Sequence, residues 1–161
     1  LPGLVQQIRA SGLRHIEGRI SGDDDALDDQ QLGAGWAWDN LPYGYAAPVS
    51  ALEYNEGSVD LVLTAGASAG EPVDLQVRPD GSGLEVENRL ITVAESGTGM
   101  LTMERLPGSL HLIVRGQIPA KAAPFARTAS VDNPTQFFAN AFRGALIAGG
   151  VQVDQGALAM D

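Results

Sequence analysis

Apolar and polar residues alternate in short runs along most of this chain, and two stretches repeat with a helical period instead. Leu4, Val5 and Ile8 recur at helical spacing and Ser11-Gly12 supplies a stop, which predicts a helix within residues 1–10. The second helical stretch carries more signals. Asp132 or Asn133 caps it, Pro134 takes the first turn, and Phe138, Ala141, Phe142, Ala145 and Leu146 form an apolar stripe that ends at Gly149-Gly150. This spacing predicts a helix at about 134–148 with the stripe facing the core.

Elsewhere period two dominates. Leu13 to Ile20 alternates until Gly18 interrupts it, and Val49–Tyr54 and Val59–Thr64 flank Asn55-Glu56-Gly57-Ser58, a composition suited to a hairpin turn. Val73–Arg78 and Leu84–Ala94 lie on either side of the turn cluster 79–83, with Asn88-Arg89 as a break in the second. Met100–Arg105 and His111–Gly116 are expected to pair around Leu106-Pro107-Gly108-Ser109. Ile118–Pro124 reads as a small-residue linker, Phe125–Val131 as a strand, and Val151–Gly156 as a closing strand. The expected class is α+β and β-rich, with short antiparallel strands and two main helices. Helix, glycine stop and interrupted short strand occur at both ends of the chain. That repetition suggests an outer subdomain of residues 1–65 and 117–161, with residues 66–116 as a β-rich subdomain inserted in it.

Both tryptophans and all three tyrosines fall between Gly33 and Asn55, in a segment broken by Gly33, Gly35, Pro42, Gly44 and Pro48. Trp36 and Trp38, two apart, point the same way if extended. Two roles fit Trp36, Trp38, Tyr43 and Tyr45: rings that anchor a loop on the core, or a platform for a sugar or peptide. Burial favours the first role and exposure beside a groove favours the second.

With 161 residues and 44% hydrophobic content, the chain is large enough for one ordinary domain, and 20 glycines with 9 prolines imply many turns. A net charge of −10 without any Lys/Arg run argues against nucleic acid and anionic lipid as partners. No apolar run approaches the ~20 residues of a membrane span. The absence of cysteine excludes a disulfide or a thiolate metal site. The start at Leu1-Pro2 reads as a processed or excised piece.

Candidate chemistry is sparse. His15 and His111 both fall on strands and read as structural, His15 as partly buried. Gly66-Ala67-Ser68-Ala69-Gly70 matches G-x-S-x-G, but that motif needs a helix behind the serine, and Glu71-Pro72 followed by alternating residues predicts a strand. Residues 21–31 concentrate five aspartates. Oxygen-rich loops can bind calcium, but the spacing of Asp23, Asp25 and Asp28 does not fit an EF-hand; a solvated turn with one aspartate capping a short helix around Ala26-Leu27 is expected, with calcium as the lesser alternative. No metal or cofactor is assigned.

Residues 8–18 (IRASGLRHIEG), the Gly35-Trp36-Ala37-Trp38-Asp39 loop, Ala46-Ala47-Pro48-Val49-Ser50-Ala51-Leu52 followed by Asn55, and the helix from Asp132 to Gly150 come in an order that resembles one family. It is that of the class C low-molecular-mass penicillin-binding proteins, the D-alanyl-D-alanine carboxypeptidases and endopeptidases of the penicillin-binding protein 4 type. The likeness covers nearly the whole chain and is to the family's inserted, non-catalytic region. Such enzymes are serine acyl-transferases with S-x-x-K, S-x-N and K-T-G motifs. None occurs here. Lys121 is the only lysine and Ile118 stands three residues before it, Ser130-Val131-Asp132-Asn133 misses S-x-N by one position, and Lys121-Ala122 is no K-T-G.

The resemblance therefore implies no catalytic residue in this chain, which alone is expected neither to bind penicillin covalently nor to cleave D-Ala-D-Ala. It implies a parent hydrolase outside the cytoplasmic membrane, in the periplasm or cell envelope, acting in peptidoglycan remodelling. The implied partners are the catalytic domain of the same polypeptide and, through it, peptidoglycan peptides. Open strand edges would also allow a homo-oligomer. The rival reading is a free-standing envelope module that binds a glycan or peptide through the aromatic loop.

Overall fold

A computed structural model describes residues 1–28 and 30–160. Asp29, one of the five clustered aspartates, lies outside the described residues. The order of elements is α1 (Pro2–Ala10), β1 (His15–Ile16), β2 (Ile20–Asp23), β3 (Ser58–Thr64), β4 (Asp74–Arg78), β5 (Glu85–Val93), β6 (Met100–Glu104), β7 (His111–Pro119), β8 (Phe125–Ser130), α2 (Pro134–Ala148), β9 (Gln152–Val153) and β10 (Ala157–Met160). The fold is α+β and β-rich, with these two helices.

Two three-stranded sheets, ordered β4-β3-β8 and β5-β7-β6, share one core. Val59, Leu61 and Leu63 on alternate positions of β3 are fully buried, as are Leu112 and Val114 of β7, so period two places one face of each sheet inward. Sheet β4-β3-β8 is antiparallel throughout, and β6 pairs antiparallel with β7 around the expected Pro-Gly turn. β7 also lies parallel to β5 over Glu85↔His111 to Val93↔Pro119. At the other end of the molecule β1 pairs parallel with β9 and β2 parallel with β10, so the first residues are hydrogen-bonded to the last.

α2 forms where the local signals placed it. Asn133 caps it by accepting from the Gln136 amide at 2.7 Å, and Pro134 occupies the first turn. Phe137 meets Tyr54 edge-on, with centroids 5.1 Å apart, and burying such a ring contributes about 1.5–3 kcal/mol. In the last turn of α2, Leu146 joins Val5, Val151 and Val153 in a second cluster. Gly149 lets α1 approach, since a Cβ there would stand 2.5 Å from Val5 Cγ1.

Several expectations are corrected. Val49–Tyr54 is irregular rather than a hairpin strand: Ser50 Oγ accepts from the Leu52 amide at 3.1 Å and bends the segment, and the neighbours of β3 are β4 and β8. The Leu13–Ile20 strand shrinks to His15–Ile16, with Gly18 at φ +133° separating it from β2. Asn88 does not break β5, because its side chain satisfies the neighbouring backbone by donating to Val73 O at 2.7 Å and accepting from Leu90 N at 3.0 Å. Ile118 and Pro119 belong to β7, not to a linker. The C-terminal half of the expected α2 stripe faces a core, with Leu146 buried and Phe142 and Ala145 packed around it in the second cluster. In the N-terminal half Phe137 and Ala139 are buried and Phe138 and Ala141 only partly so, because there the helix is covered by the sheets rather than by α1. No short helix forms at Ala26-Leu27, where the chain makes a turn.

Candidate aromatic cleft

The loop between β2 and β3 is pinned to the core, but not by its tryptophans. Leu41, Pro42, Ala46 and Pro48 are buried, whereas Trp36 is 42% and Trp38 61% exposed. Short 3-10 turns at Trp38–Asn40 and Gly44–Ala46 give the segment its shape. Tyr43 bridges to Ala129 of β8 and packs on the main core. Tyr45 stacks against Tyr43 with centroids 5.6 Å apart and planes 9° from parallel, is 70% exposed, and donates from its hydroxyl to Asn40 Oδ1 at 3.0 Å.

These rings form one wall of a cleft of about 420 Å³. Trp38, Asp39, Asn40, Pro42, Tyr43 and Tyr45 line one side, and Thr102, Met103, Glu104 and Arg105 line the other. Four consecutive residues on that second side alternate in direction, so the cleft runs along the open edge of β6, which among the described residues pairs only with β7. Three of the four expected ring residues thus come together. Trp36 does not line the cleft; it folds back over Gly33.

A profile of the D-Ala-D-Ala carboxypeptidase 3 (S13) family matches residues 1–160. The chain belongs to that family. It is 32% identical over 158 residues to the D-alanyl-D-alanine carboxypeptidase of Actinomadura sp. (strain R39), covering 95% of this chain and 29% of that relative's length. Among solved structures, penicillin binding protein 4 (dacB) from Haemophilus influenzae shares the fold, with a TM-score of 0.77 at 20% identity over 98% of this chain and 35% of that one. The same protein complexed with a novel β-lactam matches with a TM-score of 0.64 at 17% identity, over 99% and 32% of the two chains.

In this S13 chain the remaining candidates are dispersed. Ser68 lies in an exposed turn that leads into strand β4, not into a helix. His15 is exposed rather than partly buried, because its ring reaches out to pair with Asp154 Oδ1 at 2.8 Å across β1 and β9. His111 pairs with Glu87 at 3.1 Å, and Lys121 with Glu95 at 2.8 Å. Ser130 is buried and donates to the Leu41 carbonyl. Asp24 accepts from Ser50 and from Thr135, which ties the acidic turn to the start of α2. Among the described residues no three His, Cys, Asp or Glu side chains gather in a metal-binding arrangement.

Arg105 and Glu104 were not among the sequence candidates. A signal was there: Leu101, Met103 and Arg105 share one face of an alternating strand, which turns the arginine inward. Its side chain is 3% exposed, and Glu104 pairs with Arg115 on the opposite face.

Proposed function

We propose that this chain is the non-catalytic region of a serine-type D-Ala-D-Ala carboxypeptidase or endopeptidase, exported beyond the cytoplasmic membrane and acting in peptidoglycan maturation. The observation that carries this reading is the family match over residues 1–160 of a sequence without any S-x-x-K. Acylation requires a serine with a base beside it, and the only lysine sits in an exposed ion pair with Glu95. The chain spans under a third of the length of its R39 relative, which leaves room for a catalytic domain in the same polypeptide.

Within this proposal the aromatic cleft contacts the peptide part of peptidoglycan at the entrance to the catalytic domain. Exposed rings beside an open strand edge offer apolar area and backbone hydrogen bonds to an extended peptide. A net charge of −10 limits adhesion to anionic wall polymers. The division into residues 1–65 with 117–161 and residues 66–116 belongs to the same proposal. The pairing of the chain ends supports it, while β3 and β4 pair across the first boundary.

The test is kinetic. In the complete product of the reading frame, Trp38→Ala combined with Tyr45→Ala should raise KM for a peptide ending in D-Ala-D-Ala by about tenfold, with kcat held within about twofold. Unchanged KM removes the cleft from the reading.

A second reading, a free-standing module that binds a glycan or peptide through Trp38 and Tyr45, is favoured by the exposure of those two rings. It requires binding by the 161-residue chain alone, measurable by quenching of tryptophan fluorescence with wall fragments.

A further inference from the structure

Among the described residues Arg105 is the one charged side chain buried in the core. It follows β6 directly. Nη2 donates to the Leu41 carbonyl at 3.0 Å and to Ser130 Oγ at 2.7 Å, and the Ser130 hydroxyl donates to the same carbonyl. Nη1 is buried without a hydrogen-bond partner among the described residues and stands 3.8 Å from Asp132 Oδ1. Burial holds the guanidinium below its usual pKa, with the Asp132 carboxylate opposing that shift.

Packing alone does not call for arginine here. A methionine would fill the space of the aliphatic stem, the Leu41 carbonyl would keep its bond from Ser130, and the partly exposed Asp132 would be hydrated. Removing one partner of a buried ion pair is costly when the other charge stays buried, but Asp132 keeps 27% of its side chain exposed and is not stranded. What the planar fork adds is a rigid link between two walls. Leu41 lies between Trp38 and Tyr43 on the ring side of the cleft, and Arg105 extends from the strand that forms the other side.

We propose that Arg105 is the positioning residue of the aromatic cleft: its fork, closed on Leu41 and Ser130, sets the gap between the rings and the edge of β6 and so the grip on a peptide ligand. The proposal rests on the reading that the cleft contacts peptidoglycan peptides. Because Arg105 acts through the loop rather than on reacting atoms, its removal changes binding and not turnover.

The experiment compares Arg105→Met, Arg105→Lys and the Trp38→Ala/Tyr45→Ala pair in the complete polypeptide, using a peptide ending in D-Ala-D-Ala as the probe. Arg105→Met should raise KM about fivefold to tenfold with kcat within about twofold, and should speed amide hydrogen exchange in residues 38–45. Arg105→Lys, which keeps the charge and loses the fork, should recover part of the KM. Unchanged KM in Arg105→Met beside a raised KM in the ring variant overturns the role of Arg105 alone. Unchanged KM in both overturns the cleft reading and this proposal together. Should Arg105→Met not fold, Ser130→Ala, which removes one arm of the clasp, takes its place: a rise of about twofold or more in KM supports the proposal, and none overturns it.

Discussion

Tyr43 and Tyr45 lie nearly parallel, 9° apart in plane and 5.6 Å between centroids, yet one packs on the core and the other is 70% exposed. The loop thus holds an exposed ring in place by stacking it on an anchored one. Tyr43→Ala should cost about 2–3 kcal/mol, low for a large ring because Tyr43 is only partly buried, and Tyr45→Ala within about 0.5 kcal/mol. Urea denaturation of the two variants separates anchor from platform; equal losses would contradict the division.

Phe137 is fully buried where α2 meets Tyr54 and the sheets. Phe137→Ala should cost about 3–5 kcal/mol in the same assay. The half-buried Phe138, stacked on Phe142, is a useful contrast, since the sequence stripe assigned the core to Phe138. A larger loss at Phe138 than at Phe137 would restore that assignment.

Gly116 has φ +138°, and a Cβ at this position would run into the Met100 carbonyl of the neighbouring strand. Gly116→Ala should therefore cost about 2–3 kcal/mol through backbone strain and strand displacement. Gly3, where a Cβ meets nothing, should accept alanine with little change, and the two midpoints measured together provide the check.

Acid should weaken two surface pairs. The His15 hydrogen bond holds the Asp154 carboxyl below its ordinary range, and Arg89, then His111, do the same for Glu87 against a smaller opposing desolvation. A carboxylate with a depressed folded pKa adds stability that is complete above its unfolded value and is lost as pH falls through the folded one. The loss therefore falls below about pH 4. Both groups are exposed, so the effect is small. Asp154→Asn with Glu87→Gln should flatten the acid limb of the denaturation midpoint against pH; an unchanged limb would show that neither pair matters.

Local chemistry explains what the sequence disclosed. The Asn133 cap, Pro134 and the Gly149-Gly150 stop are all within one helix, and Pro107-Gly108 lies between the two strands it joins, so α2 and the β6–β7 hairpin were legible. The parallel pairing of β5 with β7 and of the chain ends was not, because alternation reveals a strand but not its neighbour. The cleft was half legible. Aromatic clustering marked Trp38, Tyr43 and Tyr45, whereas the wall from Thr102 to Arg105 is recruited from a distant strand and carries no aromatic signal.

The central claim is that the acylating machinery lies outside this chain. Labelling with a fluorescent penicillin, run side by side on the 161-residue chain and on the complete product of its reading frame, tests it most directly. The account predicts that the longer product labels and the 161-residue chain does not. Covalent labelling of the 161-residue chain itself would contradict it.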